Sequence, residues 1–169
     1  MIKPRIGVSA CLLGHEVRYD GDHRKNDWLL RVASEIVEFV PVCPEMAVGL
    51  GVPRPAVELT GTAGAIHATG VEDGSLDVTQ ALQRYAQQTA AISSDLSGYI
   101  FKGKSPSCGL NVRLNGEFLE PPVMGIFSRV IHERLPLLPI AEIESLKNDE
   151  QCASFILRVK KYQQSINGL

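Results

Sequence analysis

The chain has 169 residues, 44% of them hydrophobic and 21% charged, with 17 basic against 19 acidic side chains and a formal charge of -2. This length suits a single domain spanning 1–169 with a sizeable core, and so ordinary a composition argues against disorder and against membrane spanning. The near-neutral balance offers no global field to hold a polyanion, so nucleic acid is not an expected partner.

Met1-Ile2-Lys3-Pro4-Arg5 leads straight into an apolar run and lacks the apolar stretch and cleavage site of a signal peptide, which points to the cytoplasm. Ile6 to Ala10 reads as a first strand, followed by the turn Cys11-Leu12-Leu13-Gly14 and a polar loop from His15 to Lys25. Asn26 or Asp27 can cap a helix reaching about Phe39, with Leu29, Val32, Ile36 and Val37 near helical spacing. Phe39 to Val42 is a second apolar run ending at Cys43, and Pro41 inside it argues for an edge strand. Residues 49–64 are dense in glycine and proline and read as an ordered loop with a small ribbon after it. They do not form a dinucleotide-binding fingerprint, because Pro53 and Pro55 stand where a helix should begin.

Asp77 and Gln80 resemble a capping box, and Val78, Leu82, Tyr85, Ile92 and Leu96 mark the face of a helix. Tyr99 to Phe101 is a third strand, running into Lys102-Gly103-Lys104-Ser105-Pro106-Ser107-Cys108-Gly109. Alternation of strand and helix is the pattern of an α/β sheet with right-handed crossovers. Asn115-Gly116 predicts a hairpin turn between Val112–Leu114 and Glu117–Leu119. A helix over 124–135, a strand over 137–140 and a C-terminal helix over about 141–166 complete the expected order. Cys152 falls among Phe155, Ile156 and Val159 of that last helix and reads as core.

Four cysteines in a reducing compartment are expected as buried hydrophobes, ligands or nucleophiles rather than disulfides. Cys11, Cys43 and Cys108 share a context, since each lies just beyond an apolar run and opens into a Gly- or Pro-containing turn. Parallel strands end along one edge, so thiols at several strand ends can converge although tens of residues apart. Structural zinc commonly uses four ligands in paired C-x-x-C spacings, and no such pair exists here. A cubane iron-sulfur cluster held by only three thiolates keeps one iron open for a soft ligand. Spacing alone places a cluster ahead of a zinc site or a thiol nucleophile and leaves all three open.

The segments SACLLG (Ser9 to Gly14), VRYDG (Val17 to Gly21), CPE (Cys43 to Glu45), GLGVPR (Gly49 to Arg54) and KGKSPSCG (Lys102 to Gly109), in this order and spacing, resemble the thiouracil desulfidase (TudS-like) family, long catalogued as a domain of unknown function. From Met124 to Ile140 the chain looks more like the branch in which a second helical domain often follows. The resemblance implies a Rossmann-like three-layer α/β domain with a mostly parallel sheet. In it Cys11, Cys43 and Cys108 would hold a [4Fe-4S] cluster with one iron not ligated by protein, and the activity would be non-redox removal of sulfur from a small thiolated pyrimidine.

Within that expectation Glu45, set by the rigid Cys-Pro-Glu turn, is the candidate acid-base residue. Ser105 is a second catalytic candidate, and Ser107, Arg54 and Tyr19 are candidates for substrate binding. Alone, each has an ordinary reading: a solvated loop carboxylate for Glu45, turn chemistry for the serines. Lys102 and Lys104 read as exposed loop residues, and His15, His23, His67 and His132 form no ligand spacing. The rival classes are a non-catalytic cluster- or metal-binding sensor or structural module, and a sulfur-transfer enzyme using one cysteine as a persulfide nucleophile.

Overall fold

A computed structural model describes residues 2–168 apart from the Val32 side chain, so the inward packing expected of Val32 lies outside the described residues. In chain order the elements are β1 (Arg5–Ser9), a 3-10 turn (Ala10–Leu13), a π turn (Leu29–Ala33) running into α1 (Ser34–Ile36), β2 (Glu38–Val42), α2 (Pro44–Ala47), β3 (Val57–Thr62) and β4 (Ala65–Gly70). There follow α3 (Thr79–Ile92), β5 (Leu96–Phe101), α4 (Ile126–Arg134), β6 (Ile140–Glu142), a 3-10 turn (Ile143–Ser145) and α5 (Asp149–Ile166).

Four strands form one sheet in the order β2-β1-β5-β6. Every neighbouring pair in it is parallel. From β1 the chain moves outward to β2, then crosses back to β5 on the other side of β1. The winding therefore reverses at β1, which opens a crevice beyond the carboxyl ends of the strands. β2 lies at the edge, which is how Pro41, unable to donate to a ladder, is accommodated.

Alternation along β5 builds the layers. Ile100 faces Ile6, Val8, Leu29, Ala33, Phe155, Ile156 and Val159, the side covered by α5 and the 29–36 helix. Tyr99 and Phe101 face Ala86, Ala90, Phe127, Val130 and Ile131 of α3 and α4. Tyr99, Phe101 and Phe127 are fully buried, and each is worth about 2–3 kcal/mol by the area it removes from water. Gly7 pairs with Tyr99 across the β1–β5 ladder, and a Cβ there would collide with the Tyr99 ring, so glycine is required for the ring to lie across β1. The antiparallel β3–β4 hairpin stands outside this sheet and packs through Leu59, Ile66 and Ala68 onto Val78, Leu82, Val112, Leu114 and Ile126.

Several expected boundaries shift. Asn26 does cap its helix, its Oδ1 accepting from Leu29 N at 3.1 Å, but the helix ends at Ile36 and Phe39 belongs to β2. The helix expected to reach Leu96 stops at Ile92, which is 80% exposed, because Ser93-Ser94-Asp95 breaks it and Leu96 opens β5. The strand expected at 137–140 lies at Ile140–Glu142, leaving Leu137 82% exposed. The last helix starts not near 141 but after Asn148, whose Oδ1 accepts from Gln151 N at 2.9 Å. Around Asn115-Gly116 the turn forms with the single bridge Leu114–Glu117 rather than paired strands. Among the described residues no helix is long and apolar enough to cross a membrane.

Candidate active site at the carboxyl edge of the sheet

A cavity of about 530 Å³ opens beyond the ends of β2, β1 and β5, and Cys11, Cys43, Glu45, Arg54, Ser105, Ser107 and Cys108 all line it. Tyr19, Arg18, Arg24, Lys102 and Lys104 complete the wall and mouth. Every residue singled out as a candidate ligand, catalyst or substrate contact is thus brought to one place. No histidine lines the cavity, and Cys152 is buried on α5 in the core.

The three cysteines arrive from the three adjacent strand ends. Cys11 packs into the core on the α5 side and Cys108 into the core on the α3–α4 side, so the site straddles the sheet edge. Cys43 caps α2 from the end of β2, and its thiol donates to the Val17 carbonyl at 3.7 Å. All four cysteines are free thiols. Among the described residues no three His, Cys, Asp or Glu side chains close round a single metal ion. One zinc ion needs its sulfurs at about 2.3 Å from one centre.

Burial raises all three thiols above the ordinary range. Cys11 is raised next by Cys43, and Lys102 and Arg18 pull it back. A hydrogen bond from Ser9 lowers Cys108, while Glu45, Cys43 and Cys11 push it further up. Ser9 also accepts from Lys102 N at 2.9 Å, tying the ends of β1 and β5 together. A serine at a strand end is so ordinary that nothing in the sequence marked it.

The Cys108 loop is held by α4. The N–H groups of Ile126, Phe127 and Ser128 donate to the carbonyls of Pro106 and Ser107 at 3.0–3.1 Å. A Cβ at Gly125 would lie 2.6 Å from the Ser107 carbonyl, so only glycine lets the helix start approach this closely. Ser105 Oγ accepts from Ser107 N at 3.2 Å and Cys108 N at 3.0 Å, which shapes the turn presenting the thiol. Ser107 is 1% exposed and its hydroxyl has no partner. The two serines thus differ: Ser105 is tied to the loop and Ser107 is uncommitted.

Glu45, in the first turn of α2, accepts from Arg54 Nη2 at 2.8 Å, with side-chain exposures of 16% and 2%. Arg54 Nη1 donates to the Gly51 carbonyl at 3.0 Å, and Arg54 Nε is buried without a partner. The backbone N–H of Arg54 donates to the Tyr19 carbonyl at 2.9 Å, joining the segment to the mouth of the cavity. Tyr19 is 47% exposed there, with the Arg18 guanidinium 5.7 Å from its ring. Arg18 pairs with Asp20, and Lys102 with Glu144.

A sheet wound to both sides, with cysteines from beyond three strand ends around one cavity at the reversal point, defines an α/β protein with a cysteine-lined crevice at the carboxyl edge of its sheet. Comparison with known proteins narrows the class. The model of the 2-thiouracil desulfurase family matches residues 6–143, and the chain belongs to that family. The uncharacterized protein YbbK of Bacillus subtilis (strain 168) is 33% identical over 126 residues, covering 71% of this chain and 83% of YbbK. Among solved structures, a [4Fe-4S]-dependent thiouracil desulfidase, TudS, matches with a TM-score of 0.69 and 29% identity over 92% of this chain and 99% of that one.

Proposed function

We propose that this chain is a non-redox desulfidase that hydrolyses the carbon–sulfur bond of a thiolated pyrimidine such as thiouracil, releasing the oxo base and hydrogen sulfide. Cys11, Cys43 and Cys108 hold a [4Fe-4S] cluster with one iron free of protein ligands. The carrying observation is the meeting of those three cysteines and Glu45 in one cavity. Family membership and the likeness to a [4Fe-4S]-dependent thiouracil desulfidase support the same reading. The donor set fits a soft metal group: Lys102 and Arg18 favour the thiolate of Cys11, and Arg54 that of Cys43. Bound there, the cluster supplies a thiophilic Lewis acid for the thiocarbonyl sulfur.

The rest is done by the chain itself. Glu45 accepts a proton from the water that attacks the thiocarbonyl carbon and delivers it towards the departing sulfur. Arg54 fixes the direction of that carboxylate through its buried ion pair. The oxygen of Ser105 already accepts two N–H groups, so its own proton is free for the substrate. Ser107 and Arg54 Nε, both without protein partners, offer polar contacts to the bound ring. Tyr19 covers the mouth. A persulfide-forming enzyme is less well supported, because three cysteines converge on the cavity and the similar solved structure is a [4Fe-4S]-dependent enzyme.

The test is turnover. Protein purified without air and supplied with 2-thiouracil should form uracil and hydrogen sulfide in equal amounts with no added reductant. A cluster-loaded protein that binds thiouracil without converting it would instead be a sensor.

A further inference from the structure

A second concavity, of about 430 Å³, lies along α5 and shares no lining residue with the cysteine cavity. Cys152, Ala153, Ile156 and Leu157 of α5 line it together with Trp28 and Ile36 from the helical segment ahead of β2. Leu157 is 54% exposed and Ile36 39%. A lone exposed leucine is ordinary, but exposed aliphatic side chains from two elements meeting in one groove beside a tryptophan make an apolar patch that a partner can cover.

The charges bounding the groove say which partner. Asp149 and Lys160 line it too, about three helical turns apart on the same face of α5. Among the described residues neither makes an ion pair. An acid in the first turn and a base later suit the helix macrodipole, but the macrodipole gives no reason for the apolar stretch between them. A face that is acidic at one end, apolar in the middle and basic at the other is complementary to its own reverse. Two copies of α5 laid antiparallel about a two-fold axis level with Ser154 and Phe155 bring Asp149 opposite the partner's Lys160. The same register sets Leu157 over the partner's Cys152 and the partner's Ala153, whose small side chains leave room for it.

We propose that this groove is the isologous interface of a homodimer, α5 packing antiparallel on α5 of a second copy of the chain. The apolar patch is small, so the dimer is a weak one, with a dissociation constant of about 1–100 µM. The cysteine cavity stays open in it, because the two sites have no lining residue in common.

Sedimentation velocity on the full chain, from low to high micromolar concentration, tests this. Wild type should pass from monomer to dimer across the range. Leu157→Glu should stay monomeric while melting, in dilute solution, at the wild-type temperature, since Leu157 is half exposed in the single chain. Asp149→Lys and Lys160→Glu each put like charges at both ends of the interface and should weaken self-association about tenfold. Mixed in equal amounts, these two variants should associate as tightly as wild type, because every end then meets its opposite. Wild type that remains monomeric at every concentration would overturn the inference. A dimer that survives Leu157→Glu and both charge reversals would overturn it as well, by placing the interface elsewhere, and a mixture that associates no better than its components would overturn the antiparallel pairing.

Discussion

The β3–β4 hairpin and the carboxyl edge of the parallel sheet both bury polar groups, but they dispose of them differently. Behind the hairpin the polar atoms are used up internally: Thr79 Oγ1 accepts from the buried Ala68 N at 2.8 Å and Asp77 Oδ1 from Thr79 N at 2.9 Å, while at the surface Asp77 Oδ2 pairs with the exposed His67 at 3.1 Å. At the sheet edge Ser107 Oγ and Arg54 Nε are left over, in the lining of the cavity that the three cysteines share. Closed polarity of the first kind holds a fold together, whereas open polarity of the second kind leaves capacity for a bound group. The distinction tells stability apart from chemistry within one small molecule.

Substitutions should obey that division. The largest effect belongs to the ligands: Cys108→Ser should abolish cluster iron and lower desulfurisation by more than about a hundredfold, the loss typical of removing even an outer partner of a metal site. Cys152→Ser should leave iron unchanged, because that residue is buried on α5, its thiol donating to the Leu146 carbonyl, and does not line the cysteine cavity. Iron analysis beside hydrogen sulfide release decides both.

Next is Glu45→Gln. It should lower turnover by about 10²–10⁴-fold with the iron content of wild type, the range of a positioned acid-base group. Full activity in that variant would remove Glu45 from the mechanism.

On the hairpin side, Thr79→Val should cost about 1–3 kcal/mol by stranding the buried Ala68 N–H, read by denaturant unfolding, with iron and turnover unaffected. Any loss of iron there would blur the division between the two regions.

The smallest effect is on pH dependence. Hydrogen bonds from Thr79, and then His67, hold the Asp77 carboxyl below its usual value. A lowered carboxylate stabilises the fold above its unfolded pKa of about 3.9, and the contribution fades as pH falls through the folded value. Asp77→Ala should therefore melt about 2–4 °C below wild type at neutral pH, and the two melting curves should draw together in acid.

How much of this was legible from residues alone follows from the physics of each feature. Cys11, Cys43 and Cys108 were readable because parallel strands share a carboxyl edge, so cysteines directly after two apolar runs and in the loop after a third specify one neighbourhood. Pro41 announced an edge strand for an equally local reason, its missing N–H. Arg54 was visible as an arginine held between prolines, but its partner was not, because the Glu45 contact depends on how two loops fold over each other. Ser105 and Ser107 looked alike, and only the turn geometry showed which hydroxyl the backbone engages. The overrun of the α3 and α5 boundaries has a common cause: apolar spacing near 3.6 carried across Ser93–Asp95 and across β6, where a turn and a parallel pairing with β5 override it.

The most direct test counts iron and acid-labile sulfide in protein made and purified without air. The account predicts about four of each per chain, and none in a chain with Cys11, Cys43 and Cys108 all changed to serine. One tightly held zinc ion per chain, or no metal at all in fully folded and freshly reconstituted protein, would contradict it.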